Sequence, residues 1–114
     1  LAARLAIAPL VLEARGLDVT PGMIDRLNSA GDTISAGILG VIYSDEIGHV
    51  ATGMRWFRRV CAAAGETPEN HYHRLVQQHY SGGLKPPFNT AARDLAEFPE
   101  EYYLPLAVTG APLA

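Results

Sequence analysis

Glu46 and His49 are the two residues of this sequence whose types and spacing are best suited to chemistry. Positions three apart on an α-helix lie about one turn from each other, so both side chains can reach one common point. An ionisable pair buried on an apolar helical face is costly unless something compensates it, and a metal ion would do so. Steps of three and four from this pair give a face that is otherwise apolar, formed by Leu39, Ile42, Tyr43, Val50, Gly53, Trp56, Phe57 and Val60.

The pair fits the ligand pattern of carboxylate-bridged helical bundles. Di-iron and di-manganese bundles use one Glu from each of two helices and a Glu-x-x-His motif from each of two others. Glu13 lies near the apolar face of an upstream helix and is the candidate lone Glu, with a solvated Glu as the alternative. Glu13, Glu46 and His49 would then form half of a ligand set. Carboxylates suit hard cations and imidazole suits iron, so we predict iron, with manganese as the alternative.

Two neighbours of the pair are candidates for supporting roles. Asp45 stands where a zinc protease of the His-Glu-x-x-His type requires a His, which excludes that class. Asp45 is also four residues before His49 and could accept a hydrogen bond from its other ring nitrogen, unless it is simply solvated. Tyr43, one turn before Glu46, is either a donor beside the metal site or a core residue. No phosphate-binding glycine loop, nucleophile elbow or paired-cysteine motif is present.

The elements that must position these residues are all predicted to be helices, and no strand pattern is evident. We expect Pro9 to kink the first helix, Gly16 to end it, and Thr20 to cap the next one. Four glycines in the long central helix, Gly37, Gly40, Gly48 and Gly53, predict the close approach of a neighbouring helix or ligand. The predicted helices span residues 1–15, 21–29, 33–64, 68–80 and 90–98, with a last turn after Pro99.

Length and composition favour one small all-α domain, which we place at residues 1–104, followed by a frayed tail at 105–114. Of the 114 residues 48% are hydrophobic and only 18% are charged, which suggests that a missing segment or a partner covers part of the surface. The net charge of -3 disfavours nucleic acid as a partner, although a local basic patch stays open. One cysteine, Cys61, and no signal peptide or membrane span predict a cytoplasmic protein.

Three segments together resemble a known family. They are Leu12–Pro21 (LEARGLDVTP), Asp45–Val50 (DEIGHV) and Pro87–Asn89 (PFN). The chain resembles, from about Leu5 to Leu104, the C-terminal half of a bacterial ferritin-like family of unknown function, DUF455. The resemblance implies a four-helix ferritin-like bundle whose first two helices, with another Glu and another Glu-x-x-His, lie upstream. It also strengthens Glu13 as a ligand, and the family is distantly similar to di-iron hydroxylases that act on modified transfer RNA.

These features are compatible with three functions. The leading hypothesis is a di-iron oxidoreductase that uses dioxygen, and the second is a ferritin-like protein for metal storage or handling. The third is a helical interaction module without metal, in which Glu46 and His49 pair with each other or with Arg residues. For the first two, the half-set of ligands would be completed either by the missing N-terminal half or by a second copy in a homodimer.

Overall fold

The computed structural model describes residues 1–108, and its regular elements are all helical. A first helical segment runs from residue 2 to residue 29, and a second, from residue 33 to residue 63, returns antiparallel to it after a short turn. The first segment consists of α1 (Ala2–Ile7), a π-helix (Ala8–Glu13) and α2 (Ala14–Ser29). Then follow α3 (Thr33–Ala63), α4 (Pro68–His79), α5 (Thr90–Leu95), α6 (Glu100–Tyr103) and a 3-10 turn (Leu104–Leu106).

The first segment is continuous, so the predicted break between residues 15 and 21 is wrong. Gly16 lies inside α2, and Pro21 sits in its interior instead of at a helix start. A proline at this position cannot donate to the carbonyl four residues earlier, which belongs to Leu17. The side-chain amide of Asn89 donates to that carbonyl at 3.0 Å. A contact from the other end of the chain thus supplies a donor where proline has none.

Pro9 produces the irregularity that we predicted, in the form of a π-helix instead of a simple kink. The amide of Ala14 bonds to the carbonyls of Pro9 and Val11. The carbonyl of Leu10, between them, accepts a hydrogen bond of 2.8 Å from the hydroxyl of Tyr72 in α4. The extra residue in this wide turn rotates everything after it by about 100° relative to a regular α-helix.

The predicted limits of α3 are confirmed. Asp32 caps its start, since the Asp32 carboxylate accepts a hydrogen bond from the amide of Ser35 at 3.0 Å. Gly65 follows its end with a φ of 70°, a conformation that glycine adopts without strain. Among the described residues, the expected close approach holds at one of these four glycines, Gly53, where a Cβ would lie 2.7 Å from Cβ of Pro9. At the other three glycines a Cβ would meet nothing within 4 Å, outside the helix's own backbone.

The C-terminal third covers one end of this helical hairpin. The α4 helix packs against α1 and α3, α5 packs against α2 and α3, and α6 packs against α4 and α5. The chain that we expected to fray from Pro105 is held as far as Val108, whose amide donates to the carbonyl of Leu84 at 2.7 Å. Residues 109–114 of the predicted tail lie outside the described part of the chain.

The core is built where α1, the π-helix and the second half of α3 meet α4 and α6. Its largest fully buried side chains include Tyr72, Tyr103, Phe57 and Phe98, and Cys61 is buried there as a free thiol. The first half of α3 is different, because Ile34, Ile38, Val41 and Ile42 are exposed, each by more than half. Of the apolar face that the sequence indicates, Val50, Gly53 and Phe57 are buried, whereas Ile42 and Trp56 are each more than half exposed. Within residues 1–108, none of the helices has the combination of length and apolar character that a membrane span needs.

Candidate metal centre

The α3 helix carries Glu46 and His49 on one face, as their spacing predicts. The Nδ1 atom of His49 lies 3.7 Å from Oε2 of Glu46. The two side chains differ in exposure: 22% of the Glu46 side chain is exposed and 64% of that of His49. The pair therefore stands at the boundary between the packed half of α3 and its open half.

Glu13 joins this pair from the opposing helix. Glu13 is the last residue of the π-helix, so the rotation introduced in the turn after Pro9 sets the direction of its side chain. One ligand atom each of Glu13, Glu46 and His49 can be chosen so that all three lie within 4.8 Å of one another. The structure thus brings together the three residues that the sequence singles out as a half-set of metal ligands.

The electrostatics of the site centre on Glu46. Burial raises the pKa of Glu46, and the neighbouring Glu13 carboxylate raises it further, while His49 opposes the rise. The Oε1 atom of Glu46 is buried and has no hydrogen-bond partner among the described residues. A carboxylate oxygen left in this state is costly, and a cation placed between the two carboxylates would remove both the repulsion and the unsatisfied acceptor.

The two supporting candidates have different surroundings. Tyr43 packs against the core, and its hydroxyl accepts a hydrogen bond of 2.7 Å from the side-chain amide of Asn89. This arrangement agrees with the core role for Tyr43 that was one of the two alternatives. Asp45 is exposed, and the hydrogen bonds of the described residues include none from His49 to Asp45. Its predicted support of the imidazole stays a prediction.

A buried polar network beside the site was missed by sequence reasoning. The carboxylate of Asp18 accepts hydrogen bonds from Nε of Arg93 at 2.9 Å and from Nη2 of Arg93 at 2.7 Å. It also accepts a hydrogen bond from the backbone amide of Asn89 at 2.8 Å. The side-chain amide of Asn89 donates to the backbone carbonyl of Leu17 and to the hydroxyl of Tyr43. The available signal was indirect: an Asn that caps a helix directly after two prolines and a Phe. Nothing in the sequence joins it to Asp18, which lies 71 positions away.

The donor set fits a hard or borderline cation. Two carboxylates offer oxygen ligands that can bridge metal ions, and an imidazole nitrogen completes a mixed set typical of iron. No cysteine takes part, because Cys61 lies in the core and does not belong to the cluster. Glu13, Glu46 and His49 are the residues that would hold such a cation.

Comparison with known proteins places the chain in a family. The family model described as "Protein of unknown function (DUF455)" matches residues 1–104. A protein of Haemophilus influenzae described as uncharacterized is 36% identical over 95 residues, which cover 83% of this chain and 33% of that protein. The chain thus spans about a third of the length of this relative. No solved structure matches the chain significantly. On the strength of the family match, the chain belongs to the DUF455 family of proteins of unknown function.

Proposed function

We propose that this chain supplies half of the ligands of a carboxylate-bridged di-iron centre in a ferritin-like bundle, and that the protein is an oxygen-dependent oxidoreductase. The observation that carries the proposal is the convergence of Glu13, Glu46 and His49 within 4.8 Å. This is one lone Glu and one Glu-x-x-His, on two antiparallel helical segments, which is half of what such bundles use.

The residues have distinct parts in this proposal. Glu13 and Glu46 would hold metal through carboxylate oxygens, and the unpartnered Oε1 of Glu46 is the atom most in need of a cation. His49 would add an imidazole nitrogen from the open side, where the exposed half of α3 leaves room for a second half-set of ligands. Bound iron would supply the redox chemistry with dioxygen that side chains alone cannot perform.

A second candidate function is a helical interaction module without metal. Two observations favour it: the contact of 3.7 Å between His49 and Glu46, and the exposed apolar side chains of the first half of α3. In this function the pair would be a surface ion contact worth about 0–1 kcal/mol, and the apolar side chains would bind a protein partner. Metal content separates the two functions.

The test is elemental analysis of protein purified without chelator, for the wild type, Glu46→Ala and Glu100→Ala. Glu100 is an exposed carboxylate on α6 that does not belong to the cluster, so its variant is a matched control for the loss of charge. We expect about one iron per chain in the wild type and in the control, since a two-metal site is shared between two half-sets. We expect less than about a tenth of that in Glu46→Ala.

Metal binding should also raise the thermal stability of the protein. A ligand present at about 100 times its dissociation constant stabilises the folded state by about 2.7 kcal/mol, so added ferrous iron should raise the melting temperature of the wild type and not that of Glu46→Ala. A folded wild type that binds neither iron nor manganese would contradict the proposal and favour the interaction module. Bound iron without oxygen-dependent turnover would favour storage or handling of metal.

A further inference from the structure

A cavity of about 240 Å³ lies on the side of the first helical segment where it meets the loop after α4. The π-helix contributes Leu10, Val11 and Leu12 to its wall, and the loop contributes Leu84 and Phe88. These side chains make much of the wall apolar, and Tyr80 adds an aromatic ring with a polar tip. None of the residues that line the cavity is a ligand in the candidate metal centre.

The charged residues in the wall are mostly cationic. Arg15, Lys85 and Arg93 line the cavity, and Asp18 is the one acidic residue among the lining residues. Only 1% of the Asp18 side chain and 4% of the Arg93 side chain are exposed, and the two are joined by two hydrogen bonds. The charge of Asp18 is therefore compensated by Arg93, and the charges of Arg15 and Lys85 remain in excess.

The two remaining cations are placed at the more open part of the wall. Nη1 of Arg15 donates to the backbone carbonyl of Lys85 at 2.9 Å, which ties α2 to the loop. The same atom is 3.9 Å from Oδ2 of Asp18, too far for a hydrogen bond. Arg93 also lines the cavity, and its Nη1 atom is buried and has no hydrogen-bond acceptor among the described residues. The rings of Phe88 and Tyr103, whose centroids lie 4.9 Å and 4.4 Å from Cζ of Arg93, compensate part of its charge, and a bound anion could supply the acceptor that Nη1 lacks.

We propose that this cavity binds a small organic anion, with its carboxylate or phosphate group held by Arg15 and Lys85 and its short apolar part against Leu84 and Phe88. Arginine recognises both kinds of anion through its planar set of donors, while lysine adds a point charge. The volume lies below the roughly 300–1,000 Å³ of sites for drug-sized ligands, so the ligand is a molecule of a few carbon atoms. This inference goes beyond the metal centre and does not depend on it.

Ligand-observed NMR titrations at constant ionic strength test the site with three probes: butyrate, inorganic phosphate and the neutral butyramide. Butyrate and butyramide have the same shape and differ in charge, so their comparison isolates the anionic group. We expect saturable binding of butyrate and binding of butyramide at least about tenfold weaker, which corresponds to the loss of one charge-assisted hydrogen bond. Phosphate that competes with butyrate would assign the site to anions in general, whereas phosphate that does not compete would assign it to carboxylates.

Variants locate the binding in this cavity. Arg15→Gln and Lys85→Gln remove the two excess charges from side chains that are not buried. We expect the double variant to bind butyrate at least about tenfold more weakly. Arg4→Gln, an exposed change on α1 outside the cavity, is the control and should bind like the wild type. Equal binding of butyrate and butyramide, no saturable binding of either anion, or an equal loss in the control would each overturn the proposal.

Discussion

At the scale of single residues, the fully buried tyrosines Tyr72 and Tyr103 differ in their hydrogen bonds. The hydroxyl of Tyr72 donates to the carbonyl of Leu10 at 2.8 Å, whereas the hydroxyl of Tyr103 is buried without a partner among the described residues. Removing one member of a buried hydrogen bond costs about 1–3 kcal/mol, because the other member is left unsatisfied. Removing a hydroxyl that has no partner leaves no other group unsatisfied, so this cost does not arise.

We therefore predict different effects of the same chemical change at the two positions. Tyr72→Phe should lower the free energy of unfolding by about 1–2 kcal/mol, and Tyr103→Phe should leave it unchanged or raise it by up to about 1 kcal/mol. Urea denaturation followed by circular dichroism measures both. A loss at position 103 as large as that at position 72 would mean that the Tyr103 hydroxyl has a partner in solution, such as a buried water.

Tyr103 also makes stability depend on pH in the alkaline range. Burial raises the pKa of Tyr103 to about 12, whereas a tyrosine in an unfolded chain titrates near 10. Between these values the folded state keeps a proton that the unfolded state releases, so stability falls as pH rises from about 10 to about 12. The stabilisation is complete below pH 10. Tyr103→Phe should show a shallower decline over this interval in urea denaturation, and an unchanged slope would contradict the assignment to Tyr103.

Only part of the candidate metal centre could be predicted from residue types and spacing. The spacing of Glu46 and His49 on one helix predicts that the two lie together, because helical geometry alone fixes it. The direction of the Glu13 side chain could not be predicted in the same way, because it depends on the π-helix that contains Pro9. A proline predicts that a helix is irregular, but it does not predict that the irregularity is a π-helix. The pairing of Asp18 with Arg93 has no local signal at all, because it joins residues 75 positions apart.

At the scale of elements, the contact between Pro9 and Gly53 sets how closely the first helical segment approaches α3. A Cβ at position 53 would lie 2.7 Å from Cβ of Pro9 and 2.9 Å from its Cγ, and a proline ring has little freedom to move away. Gly37 lies on the same helix, and there a Cβ would meet nothing within 4 Å. The same substitution should thus act in opposite directions at the two positions.

We predict that Gly53→Ala lowers the free energy of unfolding by about 1–3 kcal/mol, through overpacking at the helix contact. Gly37→Ala should raise it by up to about 1 kcal/mol, because alanine is the better helix former. Both values come from urea denaturation curves of the two variants. Stabilisation by both substitutions would show that the helices can separate at position 53 without cost, and that glycine there does not determine their distance.

Helix ends were predictable where local chemistry decides them. Asp32 and Gly65 delimit α3 through a side-chain cap and a left-handed residue, both of which are local. Pro21 has an equally strong local signal for a helix start, and the structure continues the helix through it. The reason is tertiary, since Asn89 donates to the carbonyl of Leu17, to which residue 21 would donate in an unbroken helix. Local rules therefore fail where a distant residue supplies the missing hydrogen bond.

At the scale of the whole molecule, the open half of α3 and the half-set of ligands belong to one face. Ile38 and Ile42 precede Glu46 by two helical turns and one turn, so the exposed apolar side chains lead directly to the candidate metal centre. Exposed apolar area is costly in water, and contiguous patches of it are typical of surfaces for association. A second half-set of ligands would have to approach from this side, where His49 is open.

We predict that the 114-residue chain by itself binds metal as a dimer, in which each copy contributes Glu13, Glu46 and His49 to a shared site. Analytical ultracentrifugation with metal analysis of the sedimenting species measures both quantities at once. Ile38→Glu should shift the chain towards monomer and lower its metal content in parallel, because it places a charge on the apolar surface next to the site. Leu95→Glu is the matched control, since Leu95 is 71% exposed on α5, compared with 58% for Ile38 on α3. A monomer with bound metal would rule out the shared site, because the three ligands of one copy would then hold metal without a second half-set.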